Sequence, residues 1–339
     1  MSSRRHERIL VTGGAGYVGS RLVPRLLADG RSVRVLDLCL YGEEPLDAVA
    51  DERSFELVRG DLRDEDVVRR SVDGMDAVIH LACISNDPSC DLDPDLTKSV
   101  NFDAFEPLVR LSKEAGVDRF VFASSASVYG VSDRREVTED HPLKPVSLYN
   151  RYKGECEPIL FAADDPGFTT VAVRPATICG VSPRQRLDLT VNILTTHAIE
   201  QSVITVFGGR QLRPNLHIDD MLDVYELLLD APRDAVAGQA FNAGYENLAV
   251  ADIAERVRAV VEGPNQERRV AIVTEPSDDP RSYHISSAKL EDTLGYRPRR
   301  NIEVAVRELA SAIAEGRLPD AMRDDRYYNV RHMRRIGMR

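Results

Sequence analysis

Residues 9–20 read ILVTGGAGYVGS, an apolar run that breaks into glycines and then resumes with helical character. Ile9, Leu10 and Val11 are strand formers with no polar interruption, the pattern of a strand buried on both faces. Gly13 then permits a tight turn, Gly16 lets the backbone come close to an anion, and Gly19 lets the following helix lie against its strand. The free N–H groups at that helix start, beside Tyr17 and Val18, face the anion. The next strand, VRVLDL at 33–38, ends in Asp37, about 20 residues beyond the glycines, where a carboxylate grips both hydroxyls of a ribose and repels a 2′-phosphate. Strand, glycines, helix, strand and acid in this register predict a dinucleotide site, with NAD favoured over NADP.

The rest of the chain suits a large globular protein. With 339 residues, 43% of them hydrophobic, it can bury a substantial core. A net charge of −11 argues against nucleic-acid and membrane-surface partners, both of which need a basic face. The N-terminal MSSRRHER lacks the apolar core of a signal peptide, and no stretch is long enough to span a bilayer, so a cytoplasmic protein is expected. The five cysteines, Cys39, Cys83, Cys90, Cys156 and Cys179, are odd in number and lack metal-ligand spacing; neither a disulfide scaffold nor a metal site is expected.

Strands and helices alternate along the first half. A strand leads into GDL at 60–62, placing Asp61 and Leu62 at an adenine end, with a turn acid capping the next helix as the alternative for Asp61. VIHLA at 78–82 is a buried strand whose small end, Leu81, Ala82 and Cys83, passes beside the dinucleotide, and Ser85 and Asn86 follow at its mouth. Residues 96–115 have helical spacing, with Asn101 placed to tie that helix to the strand ends. RFVFASS at 119–125 is a further strand ending in hydroxyls, and YNRYK at 149–153 opens a helix that Pro158 should end or kink after two turns. A strand at 169–173 closes at Pro175. This is the α/β, doubly wound parallel sheet (Rossmann) pattern, with ligands at the carboxyl ends of the strands. Beyond Gly180 the character changes to a smaller C-terminal α/β substrate lobe. Residues 1–180 form the dinucleotide domain, to which the chain returns at about 216–245, and 181–215 and 246–339 form the lobe. The last fifteen or so residues, rich in arginine, read as a tail.

Ser125, Tyr149 and Lys153 can carry a mechanism. Tyr149 and Lys153 are four apart and share a helix face. A tyrosine ordinarily ionises near pH 10, and the lysine ammonium with a positive nicotinamide ring would lower that value enough for Tyr149 to take a proton from a substrate hydroxyl. Ser125 would hold the same oxygen.

Together TGGAGYVGS, Asp37, GDL, HLA at 80–82, SSASVYG at 124–130 and YNRYK resemble the extended short-chain dehydrogenase/reductases that act on nucleotide sugars. The resemblance runs on through GGRQLRPNLHIDD at 208–220 and SSAKLEDTLGY at 286–296. It implies a nucleotide-diphosphate sugar as partner, Arg213 on the diphosphate, Phe207 by the base, and Thr177 and Asn192 along the sugar and phosphate path. Arg281 stands in for an arginine missing from its usual place. It also implies a homodimer built from helices 96–115 and 149–164. Dehydrating and decarboxylating members usually carry acids where Ala126 and Ser127 stand here, and C3/C5-inverting members carry a cysteine at the position of Ser127. The expected activity is therefore an NAD-dependent epimerase working through a 4-keto sugar. A dehydratase, a decarboxylase, a C3/C5 epimerase using Cys179, and a catalytically silent NAD-binding scaffold are the alternatives. PRQRLDL at 183–189 resembles a stretch of UDP-glucuronate epimerases, which implies Arg186 and Thr177 on a sugar carboxylate; in the plainer reading Arg184 and Arg186 serve the diphosphate or solvent.

Overall fold

The computed structural model describes residues 5–132, 134, 136–264, 268–277 and 282–338. The strands in chain order are β1 (Arg8–Thr12), β2 (Ser32–Asp37), β3 (Phe55–Arg59), β4 (Ala77–His80), β5 (Arg119–Ala123), β6 (Thr169–Pro175), β7 (Thr177–Cys179), β8 (Val203–Phe207), β9 (Leu212–His217), β10 (Gln239–Ala243), β11 (Glu246–Ala249) and β12 (Ala271–Glu275). The unbroken apolar run of β1 fits its place inside a seven-stranded sheet of order β10-β6-β5-β4-β1-β2-β3. Every pairing in that sheet is parallel. Both faces are covered. Leu22, Leu26, Met221, Tyr225 and Leu228 pack on one, and Val68, Phe105, Leu108, Phe120 and Phe122 fill the other. Strand order reverses between β1 and β4, so a crevice opens at their carboxyl ends. A small sheet of order β11-β9-β7 and a parallel pair β12-β8 lie beyond it.

Three expectations are corrected. Pro158 does not end its helix, which runs over Leu148–Ala162: Ser147 caps its start, accepting from the Asn150 N–H, and the buried face formed by Asn150, Tyr152, Lys153, Cys156 and Leu160 holds the turns on either side of the proline together. Residues 96–115 are not one helix; a π-turn at Ser99–Asp103 separates Pro94–Lys98 from Phe105–Glu114. The arginine-rich end is not a tail. Asn329–Arg335 is a helix with Asn329, His332 and Met333 buried, because their spacing of three and four residues puts them on one inward face.

A buried polar network ties the sheet to the helix carrying Tyr149. Arg174 on β6 donates two hydrogen bonds to Glu157, at 2.9 and 2.6 Å, and a third to the Tyr129 hydroxyl at 2.6 Å. Glu157 also accepts from Ser124 Oγ at 2.6 Å, and Tyr129 donates to Asn242 on β10 at 2.7 Å. The residue after Ser124 is Ser125, so this network fixes the backbone at one of the candidate catalytic positions.

Candidate active site

The crevice is a cavity of about 950 Å³ running from the glycine turn to the small sheet. At the turn, Gly13 has φ +76°, and a Cβ there would stand 2.6 Å from the Ala82 nitrogen at the end of β4. A Cβ on Gly19 would meet the Gly13 carbonyl oxygen at 2.4 Å. The glycines therefore bring two strand ends and a helix start closer than side chains permit, and Gly16, Tyr17, Val18, Leu81, Ala82, Cys83 and Pro175 line the result. Asp37 closes β2 with its Oδ2 accepting from Ala15 N–H at 3.0 Å and its Oδ1 from Cys39 N–H at 2.7 Å. Burial pushes its carboxyl above the usual range, and these backbone donors oppose that shift. A glycine cradle that tolerates no Cβ and an acid oriented by the cradle's own backbone fit a dinucleotide with free ribose hydroxyls. Asp37→Ala is accordingly expected to weaken NAD binding at least about tenfold and to narrow its preference over NADP, because the ribose clamp and the repulsion of a 2′-phosphate are lost together. Titration of the variant with both cofactors checks this; unchanged affinities would contradict the assignment.

Asp61 and Leu62 also line the cavity, but the Asp61 carboxylate is held by Arg63, with Nη2–Oδ2 at 2.6 Å, and this pairing lowers its pKa. Capping of the next helix falls to Asp64 instead. Asn101 is not a lining residue. It sits in the π-turn, accepts from the Ile84 N–H at 2.8 Å and donates to the Ile84 carbonyl at 2.9 Å, so it fixes the loop after β4 from behind.

At the other end Ser125, Tyr149 and Lys153 share the cavity wall. Ser125 Oγ lies 2.7 Å from Ser127 Oγ, which donates to Asn150 Oδ1. The Lys153 ammonium donates to the Ala123 carbonyl at 2.6 Å and stands 6.0 Å from the centre of the Tyr149 ring. Burial pushes the Tyr149 phenol well above its ordinary value, and the nearby Arg186 cation opposes that shift.

On the substrate side Ser85, Asn86, Thr177, Arg186, Phe207 and Arg213 line the cavity, Phe207 with 58% of its surface exposed. Asn192 does not. It is buried beneath the loop after β7, accepting from the Gly180 N–H and donating to the Arg186 carbonyl at 2.8 Å, so it shapes the wall from behind. Arg281 lies outside the described residues. Cys179 is buried off the cavity with its thiol on the Leu216 carbonyl, and burial pushes its pKa up. Arg186 forms a two-pronged pair with Asp188, Nε to Oδ1 at 2.9 Å and Nη2 to Oδ2 at 3.1 Å. Asn86 and the Asn329 backbone also donate to Asp188.

Sequence reasoning missed Tyr41, Asp188 and the C-terminal helix as wall residues, and left Arg184 between solvent and diphosphate. Tyr328 with His332, and Asn329 with Met333, are four apart, a periodicity that was readable beneath the arginines.

Parallel sheet, glycine cradle, an acid at the end of β2 and a serine–tyrosine–lysine wall define a dinucleotide-dependent short-chain dehydrogenase/reductase fold. The sequence profile of the NAD dependent epimerase/dehydratase family matches residues 9–244, and the chain belongs to that family. The UDP-glucose 4-epimerase of Lactobacillus helveticus is 29% identical over 318 residues, covering 86% of this chain and 92% of the relative. Among solved structures, the dTDP-glucose 4,6-dehydratase DesIV of Streptomyces venezuelae, with NAD and TYD bound, superposes with a TM-score of 0.82 at 24% identity over 93% of this chain and all of its own. The UDP-glucose 4-epimerase of Thermus thermophilus, in complex with NAD, superposes with a TM-score of 0.77 at 25% identity, over 90% of this chain and 99% of its own.

Proposed function

We propose that the protein is an NAD-dependent nucleotide-sugar epimerase that inverts C4 of a UDP-hexose through a 4-keto intermediate. The observation that carries this reading is the wall at 125–127: Ser125 lines the same cavity as Tyr149 and Lys153, while Ala126 and Ser127 put no carboxylate where elimination of water would need one. The likeness to UDP-glucose 4-epimerases supports it. Tyr149 accepts the proton of the C4 hydroxyl, Ser125 donates to the same oxygen as it becomes a carbonyl, and the Lys153 ammonium stabilises the phenolate. NAD, held at the glycine cradle and Asp37, would supply the hydride acceptor and donor for C4, and return of the hydride to the opposite face of the turned ketose would invert that carbon. Arg186 stands where its charge favours the phenolate, offsetting part of the effect of burial.

Incubating the protein with UDP-glucose, UDP-galactose and other nucleotide sugars, followed by mass spectrometry and NMR, tests the reading. An isomer of unchanged mass supports it. Loss of water or of carbon dioxide would assign a dehydratase or decarboxylase, and no turnover of any nucleotide sugar would leave an NAD-binding scaffold.

The Arg186–Asp188 pair favours a neutral hexose over a hexuronate. The planar fork that matches a carboxylate is already occupied by one, and a substrate carboxylate would have to displace it. Asp188→Asn keeps the shape and frees the arginine. The ratio of kcat/KM for UDP-glucuronate to that for UDP-glucose is expected to rise about tenfold or more in the variant; an unchanged ratio would mean that Arg186 does not face the sugar's C6 group.

The helices Phe105–Glu114 and Leu148–Ala162 pack side by side, and we extend the proposal to a homodimer formed by their outward faces as a four-helix bundle. Light scattering at micromolar concentration should return twice the chain mass of 37.7 kDa; a monomer mass rejects the dimer.

A further inference from the structure

The helix Asn329–Arg335 reaches the cavity from the far end of the sequence and is anchored at several places around it. Asn329 donates from Nδ2 to Ser85 Oγ at 3.0 Å, and its backbone N–H donates to Asp188 at 3.2 Å. Its Oδ1 accepts from Arg184 Nη2 at 2.5 Å. Further along the same face, His332 Nε2 donates to the Leu40 carbonyl at 2.7 Å in the loop after β2, the strand that ends in Asp37, and its ring lies 4.5 Å from that of Tyr41. Arg335 donates to His332 Nδ1 at 3.0 Å, which leaves Nε2 to carry the proton given to Leu40. Met333 completes an apolar cluster with Ile84 and Cys90, against which Tyr149 packs.

Arg184 lies under this helix. It is 4% exposed, its guanidinium carbon is 3.6 Å from the centre of the Tyr41 ring, and its backbone N–H donates to Ser20 Oγ in the first turn of the helix that follows the glycines. Its Nε has no hydrogen-bond partner among the described residues. Burial pulls its pKa down to about 10, with Tyr41 and Asp188 opposing that shift. A buried guanidinium with an open donor, lining the cavity at the helix start and close enough to Asp37 to act on its charge, is arranged for an anion.

We propose that Arg184 is the cationic ligand of the dinucleotide's diphosphate, and that the C-terminal helix, gripping Arg184 through Asn329 and the ribose-end loop through His332, is a strap that slows exchange of the cofactor. The inference rests on the dinucleotide reading of the glycine cradle and is independent of which sugar reaction the protein performs. A strapped cofactor suits chemistry in which the hydride given up in one half-reaction is returned in the other, since nothing then needs to be replaced between turnovers.

Binding to protein stripped of cofactor tests both parts without any sugar turnover. Arg184→Met is expected to weaken NAD and ADP on the order of tenfold or more, with adenosine and UDP changed less than about twofold. Equal loss for NAD and adenosine would make Arg184 structural, loss confined to UDP would assign it to the sugar nucleotide's diphosphate, and no loss would remove it from the site. If that variant does not fold, Asn329→Ala, which frees the guanidinium but leaves its charge, should still weaken ADP at least about threefold; unchanged ADP affinity overturns the assignment. For the strap, His332→Ala should speed both association and dissociation of NAD about fivefold or more in stopped-flow displacement, with Kd changed far less. Unaltered rates reject the strap while leaving the epimerase reading intact.

Discussion

Tyr149→Phe is expected to retain bound NAD and a wild-type melting temperature while losing about 10²–10⁴-fold in turnover of the nucleotide sugar. The argument is local. The ring stays, so the apolar packing of Tyr149 against Ile84, Cys90 and Met333 is kept, and the removed oxygen belongs to the cavity wall rather than to the helix's own hydrogen bonds. What disappears is the phenol that shares its wall with Ser125 and Lys153. The loss should fall on kcat, since the nucleotide and the cofactor are held elsewhere. A variant with near-normal turnover would show that another group takes the proton, and a loss confined to KM would make Tyr149 a binding residue.

The largest effect on stability is expected from Glu157. Its carboxylate is 3% exposed, as its partner Arg174 is at 6%, and it receives two hydrogen bonds from that guanidinium and one from Ser124. Glu157→Ala leaves a buried arginine whose remaining partners are the Tyr129 hydroxyl and the Glu139 carbonyl, a loss of about 3–5 kcal/mol. Denaturant unfolding reads it as a lower midpoint at unchanged slope. Conversion of both partners to apolar residues should recover much of the loss; if it does not, the pair is worth more than the charge it compensates. Because Ser124 loses its acceptor as well, turnover at temperatures where the variant is still folded should also fall.

The doubly wound sheet could be read from sequence because its signals are local and redundant. Apolar strand runs, glycines that no other residue replaces, and an acid at a strand end each restrict φ, burial or charge within a few positions. The Ser125–Tyr149–Lys153 wall was legible for the same reason, since a helical spacing of four fixes the last two on one face. Long-range satisfaction was not legible. Asn101 and Asn192 look alike in sequence to residues that touch a ligand, yet each turns its amide to backbone groups of a neighbouring loop and to one further protein side chain, Cys90 and Tyr17 respectively. Nothing near Arg186 in the chain shows that Asp188, two residues on, would close on it and not point to solvent. The expected end of the helix at Pro158 was overruled by tertiary packing, which no propensity scale contains. Arginines dominated the reading of the C-terminus, although the inward residues Asn329, His332 and Met333 decide where it lies.

The contact between His332 and Leu40 also has a temporal side. Asp37 leaves the ribosome well before the helix that lies over its loop, which begins only at Asn329. At about 5–20 residues per second, the interval between them is on the order of 15–60 s. Once β10 has been made the seven strands of the sheet are all present, yet the residues that roof its glycine cradle are still untranslated. Apolar surface at Ile84, Cys90 and Leu96 stays open until Met333 arrives. A chain halted by a stop codon just before Asn329 would therefore keep the strands of all three sheets and release a protein whose nucleotide cleft lacks this helix.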